Sequence, residues 1–301
     1  MPMSFSSEAK AELCQNRPDR RCCAVAESYG ALLYGHSFTP REIRIITASP
    51  DFAARLPRLF KRAFGLSFDL LPPEGAGGKR SLLIQDEKKI EKIFETFGLS
   101  AEATLSHHIN FSVLEEDCCR ASFMRGAFLA GGSVTDPNKR YHLELATAHQ
   151  SVSREAHTLL LDMGFSPKET QRAGNALTYF KQADAIADFF TAIGASSTAM
   201  RIMTAKVDKE MRNTVTRQIN CDSANADKTV AAAQEQLAAI RRIVRDYGSL
   251  DVLPEPLKDA ALLRVTNPEA SLADLAQLSY PPVTKSCLSH RLKKILSYRL
   301  E

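Results

Sequence analysis

The chain reads as an α+β protein in which an internally duplicated unit is followed by an all-α C-terminal domain. Three observations carry that reading. A pair of adjacent cysteines eight residues ahead of a glycine occurs twice, at Cys22-Cys23 and Cys118-Cys119, with an offset of 96 residues. Each copy then runs into alternating apolar and polar residues, followed by an apolar helical pattern stopped by glycine. The last part of the chain carries short helical patterns separated by Asn-Pro and Pro-Pro breaks.

The 301 residues suit two or three domains, and 44% apolar with 25% charged residues is the composition of ordinary globular protein. Disordered and fibrous classes are thereby excluded. No run approaches the roughly 18 apolar residues of a membrane span, and Met1 to Glu8 lacks a charged region followed by an apolar one. A cytoplasmic, nucleoid-associated protein with no membrane partner is expected. Seven cysteines without CxxC spacing predict free thiols, and a net charge of +4 permits a polyanionic partner without demanding one.

In the duplicated unit, Ser28 to Ser37 aligns with Met124 to Ser133 as a motif helix, within copies covering about 20–100 and 116–196. Glu42 to Thr47 and Tyr141 to Thr147 alternate as strands. Helices follow at Ala53 to Phe64 before Gly65 and at Arg154 to Met163 before Gly164. A second strand pair, Ser81 to Gln85 and Ala176 to Phe180, is preceded by weaker strands near Phe68 to Leu70 and Lys168 to Gln171. Closing helices end at Gly98 and Gly194. Gly30, Ala31, Gly126, Ala127, Ala130 and Gly131 are poor choices for isolated helices but allow close backbone approach, which predicts the two motif helices side by side at the centre of a pseudo-dimer.

Between the copies and the C-terminal domain, a linker at 201–250 carries Arg201, Lys206, Lys209, Arg212 and Arg217, either a solvated helix face or contacts to DNA phosphates. Asp227 to Tyr247 reads as a long connecting helix. From 251 to 301 the patterns give helices at Pro256 to Val265 and Leu272 to Leu278, the latter started by Ser271 with Asp274 in a capping box. A third helix has Thr284 as N-cap, with Val283 and Leu288 as a hydrophobic staple and Leu288, Leu292 and Ile295 facing inward. This is the layout of a helix-turn-helix, whose last helix enters a major groove. Lys285, Lys293, Lys294 and Arg299 are expected on phosphates, and Ser286, Ser289, His290 and Arg291 at base edges. From Thr284 to Glu301 five Lys or Arg residues face a single acid, which favours double-stranded DNA as partner.

Other motifs read as structural. Adjacent cysteines on a helix point about 100° apart, so the cysteine pairs are expected as small buried residues, with no metal ligand assigned. His107-His108 is expected as a surface or strand-edge pair, and Gly75-Ala76-Gly77-Gly78 as a flexible hairpin loop. No HExxH, GxxxxGK[ST] or GxSxG occurs, so no cofactor or catalytic residue is assigned.

The motif helices resemble those of the LAGLIDADG homing endonucleases, and the whole chain resembles the WhiA family of bacterial regulators. The resemblance rests on Phe123 to Ser133, Lys209-Glu210-Met211-Arg212-Asn213, and Pro281-Pro282-Val283 ahead of His290-Arg291-Leu292. It implies a degenerate two-motif endonuclease fold joined to a helix-turn-helix, acting in transcription and in cell-division or sporulation programmes. The likeness to actinobacterial members also implies a WhiB-like regulator as partner; apart from the resemblance, the alternative to a DNA-reading protein is an adaptor whose N-terminal domain docks onto a sigma factor or another regulator. An active LAGLIDADG enzyme closes each motif with a metal-binding acid. Here those positions are Gly35 and Gly131, and neither Glu27 nor Asp136 is placed to substitute, so a protein without nuclease activity is expected.

Overall fold

The computed structural model describes residues 3–18, 20–73, 78–99 and 106–299. Its contacts divide the chain into two units, Met1–Glu210 and Met211–Glu301. Of the glycine run expected as a hairpin loop, Gly75, Ala76 and Gly77 lie outside the described residues.

The first unit opens with a helix that the repeat pattern does not include, α1 (Phe5–Gln15), started by Ser4 and burying Phe5, Ala9 and Leu13 along one face. The motif helices are α2 (Arg21–Leu33) and α5 (Asp117–Gly131), and they cross at the centre of the unit. The first copy continues through β1 (Ser37–Phe38), β2 (Ile43–Thr47), α3 (Pro50–Phe64), β3 (Arg80–Ile84) and α4 (Glu87–Thr96). The second continues through β4 (Gly132–Val134), β5 (Leu143–Thr147), α6 (Gln150–Asp162), β6 (Lys168–Arg172), β7 (Asn175–Phe180) and α7 (Ala183–Ile193). The two antiparallel sheets have strand orders β1-β2-β3 and β4-β5-β7-β6, with Ile45 opposite Leu82 in one and Leu145 opposite Thr178 in the other. Alternation along β2 and β5 buries Ile43, Ile45 and Thr47 in one copy and Leu143, Leu145 and Thr147 in the other.

The weak strand expected in each copy forms fully only in the second. There Ala173 and Gly174, both at positive φ, turn β6 directly into β7. Among the described residues, the first copy keeps a single bridge, Leu70 to Leu83. Pro72 and Pro73 follow after Leu71, and they have no amide hydrogens to extend a ladder.

Close packing between the motif helices comes from one symmetric pair of glycines. A Cβ on Gly30 would lie 2.1 Å from the Phe123 carbonyl oxygen, and one on Gly126 would lie 2.0 Å from that of Glu27. Gly131 plays a different part from the one the sequence suggested. Its added Cβ would meet the Ala146 carbonyl on β5 at 2.4 Å and the Tyr34 ring, so it packs a helix end on a strand. Beside the crossing, buried Glu27 accepts from Arg55 through both carboxylate oxygens, at 2.6 and 2.8 Å, and pairs with Arg125 at 3.3 Å. Arg55 also donates to the carbonyls of Cys14 and Asn16, and Arg125 to that of Ile193 at 2.6 Å. The acid nearest the motif in sequence is therefore consumed by a buried ion triad.

Of the cysteines expected as small buried residues, Cys23 and Cys119 are buried, whereas Cys118 is half-buried and Cys22 is exposed. Each pair sits in the first turn of its helix, Cys22-Cys23 in α2 and Cys118-Cys119 in α5, and the crossing brings all four sulfurs within 4.8 Å of one another. Divergence within one helix does not prevent convergence between two.

The first unit closes with the early turns of α8 (Ser196–Tyr247). Three of the basic residues offered as DNA contacts are engaged internally here. Arg201 pairs with Glu8 at 2.6 Å, Lys206 with Asp184 at 2.7 Å, and Lys209 donates to the Pro137 carbonyl at 2.6 Å. No helix among the described residues is long and apolar enough to cross a membrane.

Candidate nucleic-acid interface

The second unit has its own apolar core. The last turns of α8 contribute Ala239, Ile240 and Ile243, which pack with Leu257, Ala260 and Ala261 of α9 (Glu255–Thr266), Leu275 and Ala276 of α10 (Leu272–Leu278), and Leu288, Leu292 and Ile295 of α11 (Lys285–Leu296). Residues that read as linker thus belong to the core beneath the helix-turn-helix.

Caps set the ends of the two helices that define the motif. The Ser271 hydroxyl accepts from the Asp274 amide at 3.3 Å while the Asp274 carboxylate accepts from the Ser271 amide, a closed capping box at the start of α10. Thr284 accepts from the Cys287 amide at 3.2 Å to start α11, with Val283 packed on the same core as Leu288. The turn is held by the Val283 amide donating to the Ala276 carbonyl. At the far end Arg242 donates to the Leu296 carbonyl at 3.0 Å, and the Tyr298 hydroxyl to that of Val252 at 2.7 Å. These contacts pin both ends of α11.

With Leu288, Leu292 and Ile295 buried, a turn of about 100° per residue aims Ser286 and His290 directly away from the core, with Lys293 and Lys294 to either side of them. Lys285, Ser286, His290, Lys293 and Lys294 are all exposed. Ser289 and Arg291 stand on opposite flanks of the helix and are half-buried. Arg291 lines a recess with Leu278 at the end of α10, Ser279 and Tyr280 of the turn, and Asp259 and Asn267 around α9. Arg299 is exposed beyond the end of α11, and Arg212 and Arg217 lie on a stretch of α8 exposed on every side.

Two residues escaped the sequence reading. Tyr280 is 99% exposed at the turn ahead of α11, an aromatic ring offered to solvent beside the helix start. In sequence the residue is part of the Pro-Pro break, and only its exposure distinguishes it. Arg264 is 1% exposed and donates to the Gln236 side chain at 2.9 Å and the Ala270 carbonyl at 2.7 Å. It ties the α9–α10 connection to α8, and an arginine in an amphipathic pattern gives no hint of that.

Comparisons with known proteins agree across the chain. A family model described as the WhiA LAGLIDADG-like domain matches residues 120–212, and one described as the WhiA C-terminal HTH domain matches residues 215–298. The chain is 36% identical to the probable cell division protein WhiA of Ruminiclostridium cellulolyticum, over 97% of this chain and 96% of that one. It is 34% identical to the protein of the same name from Carboxydothermus hydrogenoformans, with the same coverage. Among solved structures, full-length DUF199/WhiA from Thermatoga maritima superposes with a TM-score of 0.61 at 25% identity, covering 98% of this chain and 97% of that one. The N-terminal LAGLIDADG domain of DUF199/WhiA shares the fold, with a TM-score of 0.52 at 21% identity, over 64% of this chain and 92% of that one.

Proposed function

The chain belongs to the WhiA family, and from that premise we propose that it is a sequence-specific DNA-binding regulator acting in cell division, with no nuclease activity of its own. The observation that carries the reading is α11. Its ends are pinned by Thr284 and Arg242, its inner face is locked by three aliphatic residues, and its outer face presents Ser286, His290, Lys293 and Lys294 to solvent. A groove-reading helix needs this combination, because base contacts require a fixed register while phosphate contacts require cations around it.

The division of labour follows from position on the helix. Ser286 and His290, central on the outer face, are placed for base edges, with Lys285, Lys293 and Lys294 for phosphates. Arg291, Ser289 and Tyr280 frame the helix and serve neighbouring contacts, and Arg212 and Arg217 add sequence-independent affinity. Absence of nuclease chemistry is supported by Gly35 and Gly131, which offer no carboxylate, and by the commitment of Glu27 to two arginines. The resemblance to actinobacterial members supports a WhiB-like regulator as protein partner, and docking of the N-terminal unit onto a sigma factor is the alternative.

Selection of bound DNA from a random pool, followed by retardation with the selected and scrambled sites, tests the reading. A selected site bound at least ~10³-fold more tightly than a scrambled one is expected. Equal affinity for both would refute sequence-specific regulation, and magnesium- or manganese-dependent nicking that follows the protein through purification would refute the assignment as a non-enzyme.

A further inference from the structure

We propose that Cys22, Cys23, Cys118 and Cys119 form a tetrathiolate site for one zinc ion, clamping together the N-terminal turns of the two central helices. The four sulfurs lie within 4.8 Å of one another. A tetrahedral zinc ion with zinc–sulfur bonds of about 2.3 Å holds its ligands about 3.8 Å apart, so small side-chain rotations close the quartet onto a single ion. Iron–sulfur clusters place several iron and sulfide atoms between their thiolates and need wider separations than these.

The repeat explains why the geometry works. Two neighbouring cysteines on one helix diverge by about 100° and cannot enclose an ion, but a second helix related by the pseudo-twofold supplies the other two from the opposite side. The close crossing at Gly30 and Gly126 fixes the distance between the helices independently of the cysteines. Cys23 and Cys119 are buried, Cys118 is half-buried and Cys22 is exposed, which leaves an entry path on one side.

The surroundings suit an anionic complex. Zinc displaces four protons from four thiols, which pass to solvent, and the resulting group carries a charge of about −2 without any oxidant being required. Both cysteine pairs occupy first turns whose N-cap residues, Arg20 and Glu116, make no side-chain cap, so the positive ends of two helices face the sulfurs. Arg17, Arg20 and Arg125 line the adjoining recess with Cys23 and Cys118, alongside Glu116 and Asp117.

The test uses the full chain, purified without chelator or added metal, with metals quantified by mass spectrometry. About one zinc per chain is expected, lost in the Cys22→Ser/Cys118→Ser variant and retained in the Cys221→Ser/Cys287→Ser variant, whose cysteines lie outside the quartet. Because the first variant can fail by misfolding, the unaltered protein is also stripped of metal and titrated with cobalt. Intense visible bands of tetrahedral thiolate coordination, saturating at about one equivalent, are expected, together with protection of four thiols from alkylation until a chelator is added. Three outcomes each overturn the proposal: no bound metal and no cobalt spectrum, zinc retained after loss of Cys22 and Cys118, or an iron–sulfur chromophore in place of zinc.

Discussion

Gly30 and Gly126 are positions where one methyl group decides whether the central helices can meet. The atoms an added Cβ would strike are backbone carbonyl oxygens, which cannot rotate away. Each single change to alanine is expected to cost at least about 1–3 kcal/mol, seen as a lower midpoint in thermal or denaturant unfolding. Glu27→Gln removes the acid shared by Arg55 and Arg125 and leaves buried Arg55 and half-buried Arg125 short of a partner, with an expected loss of about 3–5 kcal/mol. His149 offers a pH-dependent counterpart. Burial, reinforced by the charge of neighbouring His107, whose ring lies 4.4 Å away, brings its pKa from the ordinary 6.5 down to about 4. The unfolded chain then binds a proton that the folded chain refuses. Stability is complete above about pH 6.5 and falls as the pH drops toward 4, and in His149→Phe that slope should be shallower in unfolding curves taken across the same window.

At the scale of the element, α11 separates contacts that add affinity from contacts that discriminate. Lys293→Ala is expected to weaken binding to selected and scrambled DNA alike and to reduce the salt slope by roughly 0.9, the signature of one lost phosphate contact. His290→Ala and Ser286→Ala, at the centre of the outer face, should instead narrow the preference for the selected site by about 1–3 kcal/mol per base pair read. Ser289 and Arg291 looked equally suited to base contact in the sequence, but their half-buried flanking positions predict smaller losses of discrimination. A titration in which Arg291→Ala abolishes discrimination while His290→Ala leaves it intact would mean that α11 presents a different face to the groove.

For the whole molecule, the relevant fact is that each unit holds its own core. The first buries the aromatic and aliphatic residues around α2 and α5, and the second buries Ile240 and Ile243 with the three short helices. A chain ended at Glu210 is therefore expected to keep cooperative unfolding and to lose preference for the selected DNA site. A chain ended at residue 250 should lose the same preference, but its α8 would carry Ile240 and Ile243 with their partners removed, and it should bind apolar dyes or aggregate. Retardation assays and dye binding on the two truncations distinguish these outcomes.

The duplication, the order of helices and strands, the capping of α10 and α11 and the inward face of α11 were legible in the sequence, because caps, glycine stops and residue periodicity act over a few positions of chain. The amino acids at Gly35 and Gly131 likewise exclude side-chain carboxylates whatever the fold. Helix α1 escaped because its buried stripe is only Phe5, Ala9 and Leu13. The reduction of the first copy's weak strand to one bridge among the described residues turned on Pro72 and Pro73, a local feature whose effect depends on the ladder it interrupts. Tertiary structure alone decided the rest: which glycines press on a backbone, that Arg201, Lys206 and Lys209 are engaged within the first unit, and that the sulfurs of two distant cysteine pairs converge. Each of these depends on distances between residues far apart in the chain, and such distances are set by packing, to which the spacing of residues along a single helix is blind.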